Sequence, residues 1–156
     1  MMNHLIKKIL FTLSLIILVV STQAQTSDLN NKALSIYLDA ENAFMLEDYT
    51  KAFELYQEVL KQDKDFDPAM FQLARIYLFQ NQVDKASGWA EEAFKRDQEN
   101  KWYDLLLVDI YKHYNRLEDA INIYEKLLVD NETNSDYLND LAQLYTVTKK
   151  TEAAIK

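Results

Sequence analysis

Alanine recurs at one fixed interval in this chain, and that interval constrains the fold more than any other feature. Ala52, Ala86, Ala120 and Ala154 are spaced 34 residues apart. Each follows two mostly polar residues, which are preceded by an apolar residue or a threonine. A repeat of this length is typical of stacked structural units, each of which buries its apolar face against its neighbours.

Other positions of each unit repeat at the same interval. Twelve residues before each alanine lies a small or modest residue: Ala40, Ala74, Val108 and Ala142. Apolar residues such as Leu107, Ile110 and Tyr111 follow helical spacing. The chain has one glycine and one proline, which argues against the tight turns of β-rich folds. We therefore predict an all-α chain whose helices approach closely at the small residues.

This register resembles the tetratricopeptide-repeat (TPR) family, whose 34-residue unit is an antiparallel helix pair. The resemblance implies a right-handed α-solenoid of about 3.5 repeats, spanning 33–66, 67–100, 101–134 and, in part, 135–156. First helices are expected at about 34–46, 68–80, 102–114 and 136–148, and second helices at 49–62, 83–96 and 117–130, with a stub from Thr151. The family's turn glycine is replaced here by Glu47, Asn81, Asn115 and Lys149, and the single proline, Pro68, begins a first helix.

The first 24 residues have the three parts of a secretory signal peptide. Lys7 and Lys8 are followed by an apolar run over 9–20 and by small residues that end at Ala24. That run is shorter than the roughly 20 residues that span a bilayer, so cleavage is favoured over retention as an anchor. The ending is similar to signals of Bacteroidota. The expected product has a flexible lead-in at 25–32 and is exported to the periplasm or the outer membrane, not as a lipoprotein, because the chain has no cysteine.

Residues that carry catalysis are scarce in this sequence. There is no cysteine, His113 is the one histidine after residue 24, and Gly88 is the one glycine. These counts exclude Cys–His nucleophiles, histidine-rich metal sites and glycine-rich phosphate loops. The net charge of −8 disfavours nucleic-acid binding. We therefore expect no enzyme, no cofactor and no metal, with calcium at the Asp63–Asp67 stretch as a remote alternative.

The TPR resemblance implies a concave groove lined by the first helices. Carried over position by position, the groove residues are Tyr37, Glu41, Phe44 and Met45; Phe71, Arg75, Leu78 and Phe79; Trp102, Leu105, Asp109, Lys112 and His113; and Asn139, Gln143, Thr146 and Val147. The aromatic rings among them either anchor a peptide or pack between helices, and the sequence leaves both open. His113 could make binding sensitive to pH.

Some TPR domains bind a C-terminal carboxylate through a clamp of basic and amide side chains. At the matching positions this chain has Arg75 as its one suitable residue, so an extended or helical peptide with aromatic anchors is the better fit.

A protein–protein interaction scaffold of the cell envelope is the function that these features favour. The alternative is the sensory ectodomain of a longer signalling protein, because the fourth repeat stops in its second helix without a capping helix. That uncovered end is also expected to support homo-oligomers or a protein partner.

Overall fold

The computed structural model describes residues 31–130 and 132–155, with side chains described up to residue 149 except at 130. These residues form seven helices. They are α1 (31–45), α2 (Tyr49–Gln62), α3 (Asp67–Phe79), α4 (Val83–Arg96), α5 (Lys101–His113), α6 (Leu117–Asp130) and α7 (Ser135–Ile155). The chain divides after Phe66 into two compact units. The predicted signal peptide and most of the lead-in lie outside the described residues.

The first unit contains the pair α1 and α2. Ala40 and Ala52, the small residues of the two helices, have no accessible surface. The Asp48 carboxylate accepts a hydrogen bond from the Lys51 backbone N–H at 3.1 Å, which caps the start of α2. The buried Tyr56 hydroxyl donates to the Glu41 carboxylate across the pair at 2.7 Å. Alanine contact and one buried hydrogen bond thus hold the two helices together.

The second unit contains the pairs α3–α4 and α5–α6, followed by α7. Ala74 and Ala86 belong to one buried cluster, which also includes Leu106 and Ile110 of α5. Val108 and Ala120 belong to a second cluster, which reaches Leu144 of α7. Within this unit α5 therefore packs against its own second helix and against the pair before it, and α7 packs against the pair α5–α6.

A charged pair adds to the core of the second unit. Asp104 is only 1% exposed, and both of its carboxylate oxygens accept hydrogen bonds from Lys126 Nζ, at 3.1 and 2.9 Å. The same ammonium donates to the Gln98 carbonyl at 2.8 Å and lies 5.2 Å from the Phe94 ring centroid. Because a buried carboxylate without a partner is costly, Lys126 is the residue that makes Asp104 tolerable there.

Three turns between paired helices share one backbone geometry. Glu47, Asn81 and Asn115 have φ angles of 60°, 57° and 55°. The N–H that follows each bonds to a carbonyl five residues back, as from Gln82 to Tyr77 at 2.9 Å. This is the Schellman arrangement, in which a left-handed residue ends the helix. The turn predicted from the missing glycine is confirmed at these three positions.

The fourth predicted turn is wrong. Lys149 is helical, and α7 runs unbroken from Ser135 to Ile155, so no separate stub starts at Thr151. Lysine is a good helix former and is strained at positive φ. A turn there would need a second helix that packs back on α7, and the described residues contain none. The helix continues instead, because each added residue gains one backbone hydrogen bond.

The remaining helix predictions agree with the structure. All three second helices have the predicted bounds, and the first helices α3 and α5 each begin and end one residue earlier than expected. The all-α prediction is confirmed for the described residues, as three helix pairs and a seventh helix.

Glu47→Gly is expected to raise the free energy of unfolding by about 1 kcal/mol, because glycine adopts the left-handed conformation without side-chain strain. Denaturation in urea, followed by circular dichroism, measures the change. Asn81→Gly should gain less, since asparagine tolerates positive φ better than glutamate does. Glu54→Gly, at an exposed position within α2, should instead lose about 1 kcal/mol. A Glu47→Gly protein no more stable than the parent would show that this turn is not strained.

Candidate functional site

The second unit has an open depression between α3 and α5 at their C-terminal ends. Its volume is about 390 Å³, and Leu78, Asp109, Lys112 and His113 line it. All four were predicted from the repeat register to face a groove. The helix pairs leave this face uncovered because the small residues of α3 and α5 point toward their second helices. The structure thus brings together an apolar side chain, a carboxylate, an ammonium and an imidazole.

A second depression, of about 530 Å³, lies along α7. Asn139, Gln143, Thr146 and Val147, which are the four residues predicted for the last repeat, line it together with Ala142. Ala142 was predicted to lie at a helix crossing and not on a binding surface. No sequence signal distinguishes it from Ala40 and Ala74, because its different role comes from the absence of a second helix over α7 in the described chain.

Asp109 has an unusual electrostatic environment. Its side chain is exposed by area, yet enough protein surrounds the carboxyl group to raise its pKa. Lys112 and His113 oppose this rise, and Asp140 of α7 adds to it. Among the described residues, Asp109 makes no hydrogen bond through its carboxylate and no ion pair. It is therefore a partly desolvated carboxylate available to a ligand.

Asp140 and Tyr124 extend this charged region, and the sequence did not indicate either of them. The Tyr124 hydroxyl donates to Asp140 at 2.7 Å. Burial first, and then the bond to Asp140, raise the pKa of Tyr124. The signal that could have revealed the pair is the repeat itself, since Tyr56 makes the matching bond to Glu41 in the first unit.

Two of the predicted aromatic residues in the second unit are exposed. The Phe79 side chain, at the end of α3, is 82% exposed, and Trp102, at the start of α5, is 59% exposed. The Lys101 ammonium lies 5.2 Å from the Trp102 ring centroid. Large exposed rings are the side chains that most often anchor a bound peptide.

Phe71, in contrast, belongs to the packing of the unit. Its ring is half-buried, its centroid is 5.1 Å from that of Tyr103, and it packs against the buried cluster around Ala74. Arg75 lies over the outer face of the ring, 5.6 Å from the centroid, and donates to Gln72. Phe71 therefore supports the surface that Arg75 forms and does not act as a free anchor.

The predicted residues of the first unit are also engaged with their neighbours. The Tyr37 ring contacts those of Tyr56 and Phe66, with centroids 5.9 and 5.1 Å apart. The Phe44 ring meets Tyr49 edge-on at 5.3 Å. Met45 is the exposed member of the set, at 72%. Ring packing within the unit thus takes up Tyr37 and Phe44, while Glu41 accepts the Tyr56 hydroxyl.

The first unit has a further depression that the sequence did not indicate. Its volume is about 340 Å³, and its lining includes Asn42, Leu46, Lys51 and Leu55. Leu46 lies in the turn after α1 and is 80% exposed. An apolar residue in a turn that otherwise takes polar residues was the available signal.

Comparison with protein families and solved structures identifies the fold. Residues 43–107 match the family model described as Tetratricopeptide repeat. The chain has the tetratricopeptide-repeat fold. A comparison with curated protein sequences finds no match.

Several solved TPR structures are similar to this chain. One is the first TPR of Spaghetti (RPAP3) bound to the HSP90 peptide SRMEEVD, with 18% identity and a TM-score of 0.68 over 76% of this chain and 94% of that one. Another is the Sgt2 TPR domain from Aspergillus fumigatus, with 17% identity and a TM-score of 0.66 over 80% and 84%. A third is YrrB, a TPR protein with an unusual peptide-binding site, with 15% identity and a TM-score of 0.67 over 78% and 63%. These identities show a shared fold.

Two searches of the described residues bear on other kinds of site. No helix among them is both long enough and apolar enough to cross a membrane. Within the same residues, no group of three or more His, Asp or Glu side chains is arranged to hold a metal ion.

Asp109→Asn is expected to raise the melting temperature at pH 7 and to have no effect near pH 3. Burial raises the pKa of Asp109 in the folded state, so ionising this group costs stability above its folded pKa. The cost disappears below the ordinary value of about 3.9, where the carboxyl is protonated in both states. Thermal unfolding of the two proteins across this pH range measures the difference. Glu99→Gln, at an exposed loop residue, is the control, and an equal gain at both pH values for Asp109→Asn would contradict the prediction.

Proposed function

We propose that this chain is a protein-interaction module that binds a protein or peptide on the face formed by α3, α5 and α7. The observation that supports it most is the open depression lined by Leu78, Asp109, Lys112 and His113. The exposed Phe79 ring lies next to Leu78 in the sequence, at the end of α3. Apolar side chains beside unpaired polar groups are the combination that orients a peptide and holds it.

The polar groups indicate which peptides suit this face. The TPR domain of Spaghetti binds the acidic peptide SRMEEVD. Here Glu41, Arg75, Asp109 and Gln143 occupy matching positions of the four first helices, and two of the four are acidic. A ligand with an acidic C-terminal tail would meet like charge at Asp109, so we expect a ligand of mixed charge with aromatic or aliphatic anchors.

Binding assays with purified protein test the site. Phe79→Ala is expected to weaken capture of the physiological partner from a cell-envelope extract at least tenfold, because an anchoring ring contributes about 2 kcal/mol or more. Unfolding should be unchanged, since the ring is 82% exposed. Val129→Ala is the matched control, because Val129 is 73% exposed on α6, outside the proposed face. Quantitative mass spectrometry of the captured proteins gives the measurement. Equal loss in both variants, or no loss in either, would refute the assignment of the site.

We further propose that the module acts after export, in the periplasm or at the cell envelope. The support is the pattern of residues 1–24, with two lysines, an apolar run and a small residue at Ala24. The sensory ectodomain of a longer protein remains the alternative role for the same module.

Export predicts a defined N-terminus. Expressed in a bacterium that exports proteins, the chain should be recovered outside the cytoplasm with Gln25 as its first residue, because cleavage follows Ala24. Intact-mass measurement of the osmotic-shock fraction checks both points. Lys7→Glu with Lys8→Glu should reduce export by reversing the charge ahead of the apolar run. A membrane-bound product that keeps residue 1 would favour the retained anchor instead.

A further inference from the structure

One face of α7 is exposed although its counterparts in the preceding first helices are buried. Ala142 corresponds to Ala74 and Val108, which are 0% and 1% exposed, whereas Ala142 is exposed. Leu138 is 46% exposed, while the residues at its position in α3 and α5 are 3% and 1% exposed. Tyr145 is 39% exposed and completes the set. These three residues are here called the open face.

The two earlier helix pairs of the same unit show what occupies this face. In α3 the matching residues pack against α4, whose Ala86 joins Ala74 in one buried cluster. In α5 they pack against α6, whose Ala120 joins Val108 in another. A second helix with a small residue at the crossing therefore covers this face twice within one unit.

A cation also accompanies the covering helix in both pairs. Tyr77 of α3 has the Lys85 ammonium of α4 at 5.3 Å from its ring centroid. Tyr111 of α5 has the Arg116 guanidinium, from the residue just before α6, at 4.2 Å. Tyr145 is the equivalent tyrosine, and among the described side chains no lysine or arginine lies over its ring. Its hydroxyl donates to the Glu125 carboxylate, which adds negative charge beside the ring and favours a cation there.

We propose that the open face of α7 binds one amphipathic helix from another protein, which places an alanine against Ala142 and a lysine or arginine over Tyr145. The helix lies antiparallel to α7, as α4 lies against α3. This surface adds to the face proposed for peptide binding, since Ala142 and Gln143 point about 100° apart around the helix axis.

A second copy of this chain fits the face less well. The helices α4 and α6 are already engaged in their own pairs, so a copy could offer only its own α7. In an antiparallel pair of α7 helices centred on Ala142, Tyr145 of one copy would meet Asn139 of the other, and Lys149 would meet Ser135. No cation would then reach the Tyr145 ring, so the charge match would be lost.

A synthetic peptide with the sequence of residues 83–96 is the direct probe, because α4 carries both Ala86 and Lys85. Fluorescence anisotropy of the labelled peptide should show saturable binding to the purified protein. Ala142→Trp should weaken binding at least tenfold by blocking the helix crossing. Gln143→Trp adds the same bulk to the neighbouring position on the other face and should leave binding within twofold. The peptide with Lys85→Glu should bind at least tenfold more weakly, because its new carboxylate approaches Glu125.

Three results would overturn the proposal. They are no binding of the parent peptide, equal weakening by Ala142→Trp and Gln143→Trp, and a concentration-dependent dimer in sedimentation that Ala142→Trp abolishes. The last result would assign the open face to a second copy. Circular dichroism of both tryptophan variants verifies that the exposed position tolerates the change without unfolding. Loss of partner capture in Phe79→Ala with the peptide still bound would separate this surface from the proposed peptide-binding face.

Discussion

Close approach of paired helices at small residues is the constraint on which the structure depends. Ala52, Ala86 and Ala120 have no accessible surface, so a larger side chain at any of them would force the two helices apart at a cost of about 1–3 kcal/mol. The tight crossing brings the end of one helix near the start of the next. A short turn with one left-handed residue then suffices to connect them.

Polar groups inside this framework follow one rule, in that each is held by a partner from another helix. Asp104 is bound by Lys126, and the Tyr124 hydroxyl is bound by Asp140. These contacts join α5 to α6 and α6 to α7, which are neighbours that alanine packing already brings together. The directional bonds then select one register among several that the apolar contacts alone would allow. Asp109 departs from the rule, and this departure is what makes it a candidate ligand group.

Repeat spacing made most of the fold predictable, and its limits are physical. The bounds of α2, α4 and α6 could be read from the sequence, because turn residues and alanines mark the same boundaries in each unit. Lys149 could not be read this way, since the helix there continues unless another helix packs against it. The register also indicated which residues of α3, α5 and α7 face outward. It could not show that Phe71 stacks on Tyr103, because that contact joins two helices and depends on their packing.

The two tryptophans of this chain have different surroundings. Trp89 is half-buried and packs against the cluster around Ala86, whereas Trp102 is 59% exposed beside Lys101. Their fluorescence therefore reports on different parts of the molecule. Emission from Trp89 follows the integrity of the helix pairs, while Trp102 is open to dissolved quenchers and to anything that docks near the start of α5. The protein thus contains its own optical probe of occupancy, separate from its probe of folding.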